Sequence, residues 1–106
     1  MFKRTLRYSF KKGSPKQKLV TPLFILKFQE SSEPKYAVVS GKVVSKKAVE
    51  RNRAKRVFVS ALKEIVEKNP ISYDLVFFLR RPYEEFQKSA IISELENLIS
   101  QLNAKR

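Results

Sequence analysis

Apolar residues fall along the chain in blocks of different period, and each period predicts an element. Leu23-Phe24-Ile25-Leu26-Lys27-Phe28 has the β-branched and aromatic content of a strand. Alternation puts Phe24, Leu26 and Phe28 on one face and Leu23, Ile25 and Lys27 on the other. Tyr36-Ala37-Val38-Val39-Ser40 predicts a second strand, which Gly41-Lys42-Val43-Val44 continues or bends, because a glycine inside a strand pattern marks a bulge or kink. Ala54, Val57, Phe58, Ala61 and Ile65 then recur at intervals of three and four, the spacing of a helix. Ser45 can cap that helix, and Asn69-Pro70 stops it after Lys68. Ile71 to Leu79 is apolar on both faces except at Asp74, the mark of a central strand covered on both sides, and Arg80-Arg81-Pro82 ends it. A last helix, roughly Lys88 to Leu102, carries Ile91, Ile92, Leu95, Leu98, Ile99 and Leu102 on one face.

The N-terminal part is less regular. Phe2, Leu6 and Phe10 recur every fourth position among Lys and Arg, which fits either a short amphipathic helix ending at Gly13 or a basic arm. Ser14 to Thr21 is polar and basic, and Pro15 and Pro22 discourage regular structure there. The order is helix, strand, strand, helix, strand, helix, with room to split residues 36–44 into more than one strand. Two amphipathic helices on one small sheet make an α/β sandwich. At 106 residues without an internal repeat or linker, residues 1–106 are expected to form a single domain.

Charge changes the picture from a generic sandwich to a surface with a purpose. The net charge is +13, the footprint of a nucleic-acid-binding domain. Its distribution is uneven, with seven cations and no acid in residues 1–18 and seven cations against Glu50 alone in residues 42–56. The densest run is Lys46-Lys47-Ala48-Val49-Glu50-Arg51-Asn52-Arg53-Ala54-Lys55-Arg56, at the start of the basic helix. Lys47, Arg51 and Lys55 stand four apart on one side, and Arg53 and Arg56 three apart on another. Like charges at these spacings cost a helix a few tenths of a kcal/mol each, and a polyanion laid along it reverses that sign. The alternative is a merely solvated face, but such helices usually intersperse Glu with Lys. Lys46, Lys47, Arg51, Asn52, Arg53, Lys55 and Arg56 are therefore the candidate nucleic-acid-binding residues, for RNA or DNA.

Catalytic chemistry is thin. There is no cysteine and no histidine, which excludes disulfides, thiolate nucleophiles, Cys-ligated zinc and the commonest general base. Glu84-Glu85 sits on a polar turn and makes a poor acid/base pair, Asp74 stands alone on its strand, and Gly13 and Gly41 are too far apart for a phosphate-cradling loop. No catalytic residue and no protein metal site is expected. No apolar run approaches the roughly 18 residues of a membrane span, and no apolar segment follows the basic N-terminus as in a secretory signal. A cytoplasmic protein without a membrane partner is expected.

Ala48-Val49-Glu50-Arg51-Asn52-Arg53-Ala54-Lys55-Arg56 closely resembles the AV-x-RNR-x-KR signature of the bacterial ribonuclease P protein subunit. Phe10-Lys11-Lys12-Gly13 resembles the end of that family's first helix. Tyr73-Asp74-Leu75-Val76 and Arg81-Pro82 resemble its last strand and the turn after it. One departure is Val59-Ser60, where the family often has Arg-Glu. The resemblance implies an α+β sandwich on a four-stranded sheet, in the order α-β-β-β-α-β-α, with a left-handed β-α-β crossover that breaks the usual rule. It also implies that the RNR helix binds the catalytic RNA subunit and that a cleft takes the single-stranded 5′ leader of precursor tRNA. Carried over by position, Leu6, Phe10, Phe24 and Leu26 would line that cleft. Cleavage would belong to the RNA with Mg²⁺, itself held mainly by the RNA, and the isolated protein would be inactive. Rival readings are a non-catalytic ribosomal or chaperone-like RNA-binding protein and, more weakly, a DNA-binding protein; Asn52 is the only obvious base-reading side chain, so no DNA partner is expected.

Overall fold

The computed structural model describes residues 15–32, 34–69 and 71–104; the expected first helix, with Leu6 and Phe10, lies outside them. The elements are β1 (Gln17–Val20), β2 (Phe24–Glu30), β3 (Tyr36–Ser40), α1 (Ala48–Lys68), β4 (Tyr73–Leu79), a 3₁₀ turn (Tyr83–Glu85) and α2 (Lys88–Ala104). The strands form one mixed sheet in the order β1-β2-β4-β3. β2 is antiparallel to both β1 and β4, whereas β3 and β4 run parallel with α1 as the connection between them. The result is the expected α+β architecture, with the near-continuously apolar β4 in the interior of the sheet.

The fourth strand comes from a different place than the sequence pattern indicated. It is not a split of residues 36–44 but β1, within the polar stretch between Pro15 and Pro22. Its own propensity is weak, with three of its four residues exposed. What makes it a strand is the open edge of β2, against which Leu19 pairs with Leu26 and Lys18 with Lys27. Thr21 closes the connection, its backbone N–H donating to the Phe24 carbonyl at 2.8 Å and its hydroxyl accepting from the Phe24 N–H at 3.1 Å. A short, lysine-bearing strand at the sheet edge also discourages pairing with other chains.

Gly41 does not produce a bulge inside a strand. β3 ends at Ser40, and a turn closed by Val44 N–H to the Gly41 carbonyl (3.1 Å) folds Val44 back into the core. Ser45 likewise does not cap α1: the cap position is Lys47, without a side-chain cap. The Ser45 hydroxyl instead accepts from Lys47 N–H at 3.0 Å and donates to Glu50 at 2.6 Å, so it fixes the approach to the helix. At the far end, both the backbone N–H and the side-chain amide of Asn69 donate to the Ile65 carbonyl.

Both helices bury their apolar stripes against the same sheet face. Ala54, Phe58, Ala61, Leu62 and Ile65 of α1 and Ile91, Leu95, Leu98, Ile99 and Leu102 of α2 join Phe24, Leu26, Phe28, Leu75 and Phe77 in one core cluster. At its centre Phe24 meets Phe58 and Phe77 edge-on, with ring centroids 5.4 and 5.1 Å away. Asp74 is buried but satisfied, accepting from the Gln29 side chain and from Lys35 N–H, each at 2.8 Å.

Candidate nucleic-acid interface

The basic run occupies the first turns of α1 and the loop leading into it. Its apolar members explain why it is displayed: Ala54 and Phe58 anchor the helix in the core, which forces Asn52, Arg53 and Arg56 to the outside, where all three are exposed. Lys46 and Lys47 precede the helix and are exposed as well, while Arg51 and Lys55 are half-buried. Among the described residues, Lys46, Lys47, Lys55 and Arg56 have no acidic partner. Glu50, the acid within the run, is engaged by Ser45.

The arginines of the run divide by what they touch. Arg51 turns back on the loop, with Nη1 donating to the carbonyls of Ser45 (3.1 Å) and Lys46 (3.0 Å). It holds the loop that presents Lys46 and Lys47. Arg53 donates from Nη1 to the Tyr83 hydroxyl at 3.2 Å, and Tyr83 is fastened in turn by its N–H to the Val44 carbonyl at 2.8 Å. The Tyr83 hydrogen bond pushes the Arg53 pKa up from its already high ordinary value. Arg56 makes no such contact and points its charge outward. The start of α1 is thus a rigid, positively charged ledge, suited to phosphate groups by charge and by preorganisation.

The cleft candidates are placed differently from expectation. Phe24 and Leu26 are fully buried, 0% exposed, between the sheet and the helices; the alternation that puts them on a common face points that face into the core. Leu6 and Phe10 lie outside the described residues. The opposite sheet face is open only at its margins: cross-strand rows bring together Val20, Ile25, Phe78 and Val39, and Lys18, Lys27, Val76 and Ala37, and of these Val76 is 0% exposed. Val20 and Val39 are exposed there, and the Lys27 ammonium lies 5.6 Å from the centre of the Phe78 ring. Sequence reasoning missed these residues, although Lys27 sharing a face with Ile25 was the available signal. A charged residue midway along a strand belongs to the face that water reaches.

Among the described residues no catalytic constellation accompanies these surfaces. Glu85 is paired with Arg81 at 3.0 Å on an exposed turn, and no group of three or more metal-ligating side chains occurs among the described residues. No helix among them is long and apolar enough to cross a membrane.

A family model described as Ribonuclease P matches residues 2–103. No curated protein shows significant similarity to the chain. Among solved structures, one of the Staphylococcus aureus RNase P protein superposes with a TM-score of 0.62 at 22% identity, covering 79% of this chain and 78% of that one. A second RNase P protein structure from Staphylococcus aureus gives a TM-score of 0.61 at 17% identity, covering 96% of this chain and 92% of that one. At such identities the structural likeness speaks for the fold, and the family model, spanning nearly the whole chain, speaks for the family. With the signature on α1 displayed as described, the chain belongs to the ribonuclease P family, as the protein subunit of this tRNA-processing ribonuclease.

Proposed function

We propose that the ledge at the start of α1 binds the catalytic RNA subunit of ribonuclease P, and that the assembled particle removes the 5′ leader of precursor tRNA. The observation that carries this reading is the cluster Lys46, Lys47, Arg53, Lys55 and Arg56, held in place by Ser45, Arg51 and Tyr83, of which Lys46, Lys47, Lys55 and Arg56 have no acidic partner among the described residues. Neutralising phosphate is the interaction such a cluster performs best, and each contact releases counterions. Arg51 contributes by fixing the loop, and Asn52 is placed to reach a base edge or a sugar. Bond cleavage belongs to the RNA, with Mg²⁺ held mainly by it; the described residues of the protein include no carboxylate cluster to hold the ion.

The 5′ leader is assigned to the exposed margin of the opposite sheet face, around Lys18 and Lys27, rather than to the face of Phe24 and Leu26. Lys18 and Lys27 lie directly opposite each other there, a like-charge pair that a phosphate would relieve. Phe78, Ile25 and Val39 offer apolar surface beside them, and stacking on an aromatic ring is worth about 1–3 kcal/mol per base.

Salt dependence tests the RNA-subunit contact. Arg53→Ala combined with Arg56→Ala is expected to lower the log–log slope of assembly against salt by about 0.7–0.9 per lost phosphate contact, with the fold intact. A wild-type slope in a folded double variant would remove α1 as the contact.

A further inference from the structure

We propose that the groove between the β1–β2 connection and α2 takes the Watson–Crick edge of one unpaired guanine. The groove is separate from the basic ledge on α1, and the inference rests on the reading of the chain as an RNA-binding protein. Its volume is about 230 Å³. Glu94, Asn97, Leu98 and Gln101 of α2 line one wall at i, i+3, i+4 and i+7, the spacing of one helix face. Leu19, Val20 and Pro22 line the other. Leu98 is buried at the floor, whereas Val20 is 53% exposed. Thr21 is committed to the turn, its hydroxyl donating to the Phe24 carbonyl at 3.0 Å and accepting from the Phe24 N–H at 3.1 Å.

Glu94 decides the chemistry. It is half-buried, and its Oε1 accepts from the Leu23 N–H at 3.3 Å, which ties the carboxylate to the groove. In a chain of net charge +13 it forms no ion pair among the described residues. A carboxylate has about four acceptor sites, so most remain for a ligand. Among the four standard RNA bases, guanine alone carries two adjacent donors on its Watson–Crick edge, N1–H and the N2 amino group. One carboxylate accepts from both. The guanine O6 then accepts from the amide of Asn97, about 4.5 Å further along the helix axis, or from that of Gln101. Both amide side chains are exposed and make no hydrogen bond among the described residues. Leu19, Val20 and Pro22 supply the apolar cover that an unstacked base requires. Glu94 repels phosphate, so the base enters the groove and the backbone stays outside. Lys16 and Lys18, exposed at the neighbouring sheet edge, attract the flanking phosphates and disfavour a basic protein segment in their place.

The test uses the full-chain protein and uridine octamers carrying a central guanosine, a central inosine or neither. All three bear the same phosphates, so their affinity ratios isolate the base from the salt-dependent background. The guanosine octamer is expected to bind about tenfold more tightly than the other two; inosine differs from guanosine only in lacking the N2 amino group. Glu94→Gln, which keeps an acceptor for Leu23 but turns the other oxygen into a donor, is expected to abolish the preference. Asn97→Ala, an exposed change, is expected to lower it about threefold, and thermal unfolding of each variant verifies the fold. The assembled ribonucleoprotein then identifies the source of the guanine. If a guanosine scanned through the leader of precursor tRNA raises affinity at one position, and Glu94→Gln removes that rise, the leader supplies it. If Glu94→Gln instead weakens assembly with the catalytic RNA, that RNA supplies it; a particle indifferent in both respects overturns the inference. Octamers that bind alike or not at all, or a preference that survives Glu94→Gln, overturn the groove, and the RNA-binding reading stands or falls separately on assembly with the catalytic RNA. Glu94-dependent binding of an arginine peptide, without a guanosine preference, gives the groove to a protein partner and overturns the inference as well.

Discussion

Phe24→Ala separates a packing role from a binding role on the β2 strand. The ring is 0% exposed and meets Phe58 and Phe77 at 5.4 and 5.1 Å. Truncating a phenylalanine in such a site leaves a cavity and costs about 3–5 kcal/mol. For a domain near this size each kcal/mol lowers the thermal midpoint by about 4–8 °C, so the loss is at least about 12 °C. Phe24→Leu keeps most of the volume and forfeits the edge-on ring pairs, for a smaller cost of about 1–2 kcal/mol. Lys27→Ala, three residues along the same strand and on the opposite face, leaves stability nearly unchanged. The assay pairs thermal unfolding with the affinities of the assembled ribonucleoprotein for precursor and mature tRNA. Phe24→Ala is expected to weaken both affinities together, in proportion to unfolded protein, whereas Lys27→Ala weakens the precursor alone. A Phe24→Ala protein that keeps its stability but selectively loses precursor affinity would refute the assignment of that face to the core.

Two further outcomes follow from the contacts described. Arg51→Ala removes two charged hydrogen bonds to the Ser45 and Lys46 carbonyls and is expected to cost about 1 kcal/mol after allowance for partial exposure; Arg51→Lys does not restore it, because one ammonium on a flexible stem reproduces the fork poorly. Equal thermal midpoints for wild type and Arg51→Ala would refute the latch. Burial first and Asp74 second push the Tyr36 phenol above its ordinary value of 10.0. The folded state therefore holds that proton more tightly, and the stability this contributes is full below the unfolded-state value and lost as pH rises through the folded one. Tyr36→Phe is expected to lose less stability than wild type between about pH 9 and pH 11 in denaturant titrations, and parallel losses would refute it.

Much of the architecture was legible because periodicity and burial coincide. Phe24, Leu26 and Phe28 alternate with half-buried neighbours as the pattern required, and the predicted stripes of α1 and α2 are those that reach the core, with Val57 and Ile92 only partly buried at their margins. The unbroken apolar run of β4 correctly placed it inside the sheet, between β2 and β3. β1 was not legible, since Gln17-Lys18-Leu19-Val20 has little strand character of its own and becomes a strand only when β2 offers its edge. At Gly41 the pattern left a continuing strand and a bend both open for a related reason: whether Val44 continues a strand or folds inward depends on space in the core, which no local pattern records.

The basic run shows a subtler limit. Arg51, Arg53 and Arg56 look equivalent in sequence, three guanidinium groups within six positions, and electrostatic reasoning counts them alike. In the fold each has a separate surrounding. Arg51 is half-buried against backbone carbonyls, Arg53 rests on a tyrosine thirty residues away, and Arg56 stands free on the outer side. Removing Arg51 would loosen the loop and displace Lys46 and Lys47 with it, so a binding defect from that change would not identify it as a phosphate contact. Removing Arg56 takes away charge and little else. The salt slope distinguishes the two, because it counts phosphates neutralised rather than affinity lost: Arg56→Ala must lower it, while Arg51→Ala can weaken assembly through disorder in the loop without subtracting a contact of its own.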